Sequence, residues 1–175
     1  PNREGSTIGI TIVREKAELA AAIKLAASYD NHVLLEDFVE GDDLTVGVLN
    51  GKSMAVVQIV TESGFYDYDA KYADGVSRTT TAPDLSDAVS EPLRAAALQL
   101  FGAFGGRGLA RMDFLMRSSG PEAGRWYISE VNTFPGFTPI SLFPALVMSG
   151  GLSFADLCVE LVAAAAARPA PRSAQ

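Results

Sequence analysis

The stretch RMDFLMRSSGPEAGRWYISEVN, residues 111–132, decides how this chain is read. Residues two apart on a strand point to the same face, so Arg111 joins Asp113 and Glu130 joins Asn132. Between these pairs lies a turn-rich segment, Ser118-Ser119-Gly120-Pro121-Glu122-Ala123-Gly124. An antiparallel hairpin closing about Pro121 and Glu122 sets Asp113 opposite Glu130 and Arg111 opposite Asn132. Oxygen donors from Asp113, Glu130 and Asn132 then share a patch with one guanidinium. Such oxygens are hard ligands suited to Mg²⁺, which keeps waters and phosphate oxygens in its remaining positions. The pattern points to a metal-phosphate site, although an ordinary solvated hairpin face accounts for it equally well when it is read alone.

With 175 residues and 48% hydrophobic content, the chain has enough apolar material for a full core, as one domain or one domain plus a piece of another. A soluble globular protein is expected. The net charge of −7 and the scattered Lys and Arg residues leave no electrostatic footprint for nucleic acid. No apolar run approaches the ~20 residues that cross a bilayer. The longest, Leu161 to Ala167, meets Arg168, and no signal peptide is visible, so no membrane partner is expected. The single cysteine, Cys158, excludes an internal disulfide and fits a reducing, cytoplasmic compartment as a packed core thiol. His32, beside Asn31 in a turn, reads as structural. The opening Pro1-Asn2-Arg3-Glu4-Gly5-Ser6 reads as the middle of a functional loop, so a fragment of a longer protein is expected.

Thr7 to Val13 has the alternation of a strand, and Lys16 to Tyr29 carries Leu19, Ile23 and Ala26 at helical spacing. Val33–Phe38, Leu44–Leu49 and Ser53–Val60 are further strand candidates, the last two joined by Asn50-Gly51, a type I′ hairpin signal. Thr61 to Gly75, with Phe65-Tyr66-Asp67-Tyr68-Asp69, reads as a packed functional loop. Val76–Thr81 fits a strand, and Ser86 opens a helix to about Phe104 with Leu93, Ala97, Leu100 and Phe104 on its apolar face. After the hairpin, Asn132 to Pro139 forms a rigid turn into an apolar helix from Ser141 to about Met148, and Ser153 caps a last helix. The tail, residues 168–175, is expected to be disordered. Short turns between neighbouring strands predict an α+β fold with a mostly antiparallel sheet and helices packed on one face.

Lys71 ends the aromatic loop and Arg111 stands beside the metal patch, giving two cations for a triphosphate. No Walker A sequence is present, so a nucleotide would lie against the sheet under a closing loop. Arg3-Glu4-Gly5-Ser6, the run from Phe65 to Tyr72, Arg111-Met112-Asp113 and the run from Glu130 to Thr138 together resemble D-alanine:D-alanine ligase of the ATP-grasp superfamily, collinearly from residue 1 to about 165. The resemblance implies that residues 1–35 end the central domain and residues 36–167 form the C-terminal catalytic domain, with the N-terminal domain absent.

The resemblance further implies ATP-dependent joining of two D-alanines for peptidoglycan precursors, with two Mg²⁺ ions (Mn²⁺ being acceptable) held by Asp113, Glu130 and Asn132. Lys71 would touch the ATP phosphates. Glu36 would accept from the adenine amine, the backbone of Asp37 to Val39 would read the base edge, and Asp43 would stand where the family has a longer ribose-binding Glu. Leu115 and Ile128, on the ligand face by alternation, would floor the base, and core packing explains both equally well. Arg111 and the Gly136 N–H would stabilise the oxyanion. Ser141 and the Leu142 N–H would cradle the second carboxylate at a helix start. Ser6 and Tyr72 would tie the closing loop, Tyr72 favouring an amine acceptor.

A family lysine immediately before Pro1 and a glutamate of the N-terminal domain fall outside the chain, so these residues alone are expected to catalyse poorly. The full-length enzyme is expected to be a homodimer. The alternatives are a D-alanine:D-lactate or D-serine ligase, another ATP-grasp carboxylate-amine ligase, or a non-catalytic nucleotide-binding fragment.

Overall fold

The computed structural model describes residues 1–61, 77–80, 85–138 and 141–167. The chain divides into two compact units, Pro1–Glu40 with Val60–Arg78, and Gly41–Ile59 with Thr79–Gln175.

In the first unit a 3₁₀ turn, Lys16–Glu18, leads into α1, Leu19–Ala27. The Glu18 carboxylate accepts the N–H groups of Arg14 and Glu15, filling donors that a helix start leaves unpaired. Its pKa is lowered first by the Glu15 N–H and then by that of Arg14. Thr7–Val13 does not form the expected strand. Ser6, Thr7 and Gly9 take φ of 56°, 62° and 71°, and reverse turns close from Ile8 N–H to Gly5 O and from Ile10 N–H to Thr7 O. Left-handed backbone cannot run in a pleated ladder. Val33–Phe38 also forms no strand, because no backbone pairs with it in a ladder among the described residues; Leu34 and Leu35 are exposed.

The second unit is built on β1 (Gly41–Leu49), β2 (Lys52–Thr61), β4 (Leu109–Arg117) and β5 (Trp126–Asn132), with β3 (Ser77–Thr80) beside β2 in the order β3-β2-β1-β4-β5. The pairs β1/β2, β1/β4 and β4/β5 are antiparallel. Asn50 and Gly51, at φ of 49° and 76°, make the expected tight turn between β1 and β2. Gly41 is sterically required: a Cβ there would lie 1.8 Å from the Met116 carbonyl oxygen.

Alternation divides the sheet into two faces. Leu44, Val46, Val48, Ala110, Met112 and Phe114 are buried against α2 (Asp87–Ala103) through Leu93, Ala97 and Phe101. The buried stripe therefore turns from Ala97 to Phe101, while Phe104, beyond the last helical turn, is 43% exposed. Helices do not keep to one face as expected. Leu49 and Leu109, from the opposite side, pack with Phe143 and Val147 of α3 (Leu142–Ser149) and with Leu157 and Leu161 of α4 (Phe154–Ala166). Ser141 and Ser153 are the N-caps, and the Ser153 hydroxyl accepts the Asp156 N–H at 3.1 Å. Cys158 is half-buried rather than fully packed.

No single described helix is long and apolar enough to cross a membrane. The pair α3 and α4 has the apolar length but bends by 105°, and Phe143, Leu146, Val147 and Leu157 are buried within the protein.

Candidate functional site

The hairpin has the register expected from its sequence: Arg111 faces Asn132 and Asp113 faces Glu130. Strand β1 extends both rows, with Thr45 beside Asp113 and Gly47 beside Arg111. Leu115 continues the face between Asp43 on β1 and Tyr127 on β5. Core packing of Phe114, Met112 and Val46 on the reverse side forces these polar residues onto this one.

Arg111 grips Asp113 with a two-pronged contact, Nε donating to Oδ1 at 2.8 Å and Nη2 to Oδ2 at 2.6 Å. The same Nη2 lies 3.6 Å from Glu130 Oε1. Arg111 and Asp113 are only 13% and 16% exposed, whereas Glu130 is 60% exposed and reaches into solvent. Thr45 Oγ1 donates to Asp113 Oδ1 at 2.6 Å. Asn132 Oδ1 accepts the Phe134 N–H at 3.0 Å, starting the turn that leads away from β5.

Two carboxylates and a carboxamide on adjacent strands are a hard-oxygen set, and it fits Mg²⁺ or Mn²⁺. Among the described residues there is no group of three His, Cys, Asp or Glu that would form a protein cage. Water and phosphate oxygens would have to complete such a site, as the smaller cation prefers.

Beyond the hairpin, Ser141 Oγ accepts the Thr138 N–H at 3.1 Å and lies 2.8 Å from Thr138 Oγ1. A Cβ on Gly136 would come within 3.1 Å of Ser141 Oγ, so any side chain there would press on that hydroxyl. Helix α3 is anchored by Phe143, whose ring would lie 3.2 Å from a Cβ on Gly47, the residue paired with Arg111. Leu142 and Ser141 are thereby held at the end of the sheet that bears Arg111.

The register shifts between Asp113 and Phe114, so Ile128 pairs with Phe114 and Tyr127 with Leu115, and Ile128 stays 48% exposed. A bulge breaks the two-residue period at Ser129, and Ile128 cannot be assigned to the ligand face from its spacing to Glu130. Thr45 had no expected role, and Thr138 none beyond its place in the run from Glu130 to Thr138. A polar residue at position 45, two beyond Asp43 and within the apolar run 44–49, was the available signal for the first.

In the first unit, Ser6 is half-buried in the left-handed turn, and Glu36, Asp37 and Val39 lie on an irregular segment. Lys71 and Tyr72, with the aromatic loop, lie outside the described residues, as do Pro139 and the tail from residue 168.

A family model described as "D-ala D-ala ligase C-terminus" matches residues 1–163. The D-alanine–D-alanine ligase of Syntrophotalea carbinolica is 40% identical over 168 residues, covering 96% of this chain and 53% of that protein. That of Geotalea uraniireducens is 39% identical over 166 residues, covering 95% and 52%. The chain thus spans about half the length of the curated relatives it matches. Among solved structures, D-alanine–D-alanine ligase from Bacillus anthracis complexed with ATP superposes with a TM-score of 0.74 at 27% identity, covering 89% of this chain and 50% of that one. The VanG D-Ala:D-Ser ligase from Enterococcus faecalis gives 0.77 at 34% identity, covering 91% and 46%. With the family model matched across nearly the whole sequence and the fold shared, this chain belongs to the D-alanine–D-alanine ligase C-terminal family.

Proposed function

We propose that this chain carries the ATP-using part of a D-alanine:D-alanine ligase, acting in the cytoplasm on peptidoglycan precursors, as a homodimer in the full-length protein. The observation that carries the reading is the row of Arg111, Asp113, Glu130 and Asn132 in register on one sheet face. An acyl-phosphate ligase needs cations and hard oxygens where a phosphoryl group is transferred.

In this reading the carboxylate of the first D-alanine takes the γ-phosphoryl of ATP, releasing ADP. The amine of the second D-alanine then attacks the acyl carbon, and the tetrahedral intermediate expels phosphate. Bound Mg²⁺ or Mn²⁺, held by Asp113, Glu130 and Asn132, would supply charge neutralisation to the phosphates. Arg111 and the Gly136 N–H would receive negative charge on the acyl oxygen. The Ser141 hydroxyl and the Leu142 N–H would hold the acceptor's carboxylate at the start of α3, where helix N–H groups lack internal partners. Glu36, Asp37, Val39, Asp43 and Leu115 are assigned to the nucleotide, with Lys71 on its phosphates; Ser6 and Tyr72 are assigned to loop closure.

The similarity to a D-Ala:D-Ser ligase at 34% identity keeps D-serine as a second acceptor. Release of ADP from Mg-ATP by the full polypeptide, with and without D-alanine, tests the reaction. D-Alanine, D-serine and D-lactate in competition test the acceptor. ADP release dependent on D-alanine with D-alanyl-D-alanine as the main product is expected; release indifferent to D-alanine overturns the reading.

A further inference from the structure

We propose that Thr45 is a positioning residue that fixes the Asp113 carboxylate so that Oδ2, not Oδ1, is offered to a divalent cation; the proposal rests on the metal reading above. Thr45 lies in the middle of β1, is 0% exposed, and stands between Val57 of β2 and Asp113 of β4. Its single hydroxyl proton has two acceptors in reach, Asp113 Oδ1 at 2.6 Å and the Met112 carbonyl oxygen at 3.3 Å. The shorter, charge-assisted bond wins. Valine would have the same shape and a higher preference for a buried strand, so what the hydroxyl adds is its hold on Oδ1.

The two oxygens of Asp113 draw on different donors. Oδ1 receives the Thr45 hydroxyl and, at 2.8 Å, Arg111 Nε, which fill its two lone-pair directions. Oδ2 is held by Arg111 alone, through Nη2 at 2.6 Å and a longer bond from Nε at 3.2 Å. Nη2 also lies 3.6 Å from Glu130 Oε1, so Oδ2 and Glu130 share this guanidinium nitrogen. Oδ2 is the oxygen through which Asp113 and Glu130 can share a ligand. The terminal torsion of an aspartate is broad, and without the Thr45 hydroxyl Asp113 is held by the long, jointed Arg111 side chain alone, with no partner from β1. A hydroxyl bonded to a metal-binding carboxylate acts as outer-shell partners of ligands do, by fixing orientation.

The test is a Mn²⁺ titration in the presence of ADP, with unbound Mn²⁺ read by electron paramagnetic resonance. It compares the full polypeptide with its Thr45→Val, Thr45→Ser and Asp113→Asn variants, and thermal unfolding is followed in parallel. Thr45→Val should weaken Mn²⁺ binding about tenfold or more, and Thr45→Ser should restore most of the affinity. If Thr45→Val does not fold, Thr45→Ala supplies the hydroxyl-free comparison with the same expectation. Wild-type affinity in a folded hydroxyl-free variant overturns the role of Thr45 alone, as does a Thr45→Ser affinity as weak as that of Thr45→Val. If Asp113→Asn binds Mn²⁺ as tightly as wild type, the metal reading itself fails and takes this proposal with it.

Discussion

Asp113 and Asp30 are both mostly shielded carboxylates next to an arginine, yet they are held by different means. Asp113, 16% exposed, is gripped by side chains from two strands: a two-pronged Arg111 and the Thr45 hydroxyl. Asp30, 4% exposed, sits just beyond α1 and is held mainly by backbone. It accepts the Arg3 N–H at 2.8 Å and the His32 N–H at 3.2 Å, while the Arg3 guanidinium, 67% exposed, stays 3.6 Å away. The first arrangement orients a carboxylate on a rigid sheet. The second fastens a loop, since the bonds to Asp30 and the Asn2 N–H to His32 O bond fix the segment leading to Ser6. An acid–base pair by itself does not say which job it performs; the partners' burial and origin do.

Removing the arginine on the sheet should have the largest effect. Arg111→Met leaves Asp113 without its main partner in a shielded position and should lower stability by about 2–3 kcal/mol. If Arg111 also receives the acyl oxygen's charge, D-alanine-dependent ADP release should fall by roughly 10²–10³-fold. Denaturant unfolding and steady-state turnover measure the two losses separately. Turnover within a few-fold of wild type would remove the contrast on the functional side.

Acidification should loosen the loop that Asp30 fastens. Burial pushes the Asp30 pKa upward, but the His32 N–H, the Arg3 charge and the Arg3 N–H outweigh it, and the net direction is down. A carboxyl with a lower pKa folded than unfolded contributes stability that is fully present above the unfolded value, about 3.9. That contribution is lost as pH falls from there through the folded value. Exchange protection of the Arg3 and His32 amides should therefore stay level from neutrality to about pH 5 and decline below about pH 4. Asp30→Asn should show no such decline, and a decline at the same pH in that variant would place the responsible group elsewhere.

The smallest effect is expected at Arg3. Its side chain is largely solvated, so Arg3→Met should cost no more than about 1 kcal/mol, with added salt reducing the difference. A loss comparable to that of Arg111→Met would mean that the exposed guanidinium, rather than the backbone N–H groups, holds the loop.

What was legible in the sequence is local and periodic. Residues 111–132 carried the strand alternation and the turn, and the expected pairing of Asp113 with Glu130 holds because the bulge at Ser129 offsets by one residue the register that the turn sets. Asn50-Gly51, Ser86, Ser141 and Ser153 marked their turn and helix starts for equally local reasons. Alternation misled at Thr7–Val13, where successive left-handed residues turn the chain, and at Ile128, where a bulge breaks the period.

The sequence by itself therefore determined an antiparallel α+β unit and the polar row on one hairpin, because turn chemistry and a two-residue period act over a few residues. Only the tertiary structure placed α3 and α4 on the face opposite α2, set Phe143 against Gly47, and brought the Thr45 hydroxyl to a carboxylate 68 residues away. Those contacts depend on which strands become neighbours and how side chains fill the space between layers, and no short-range pattern encodes that.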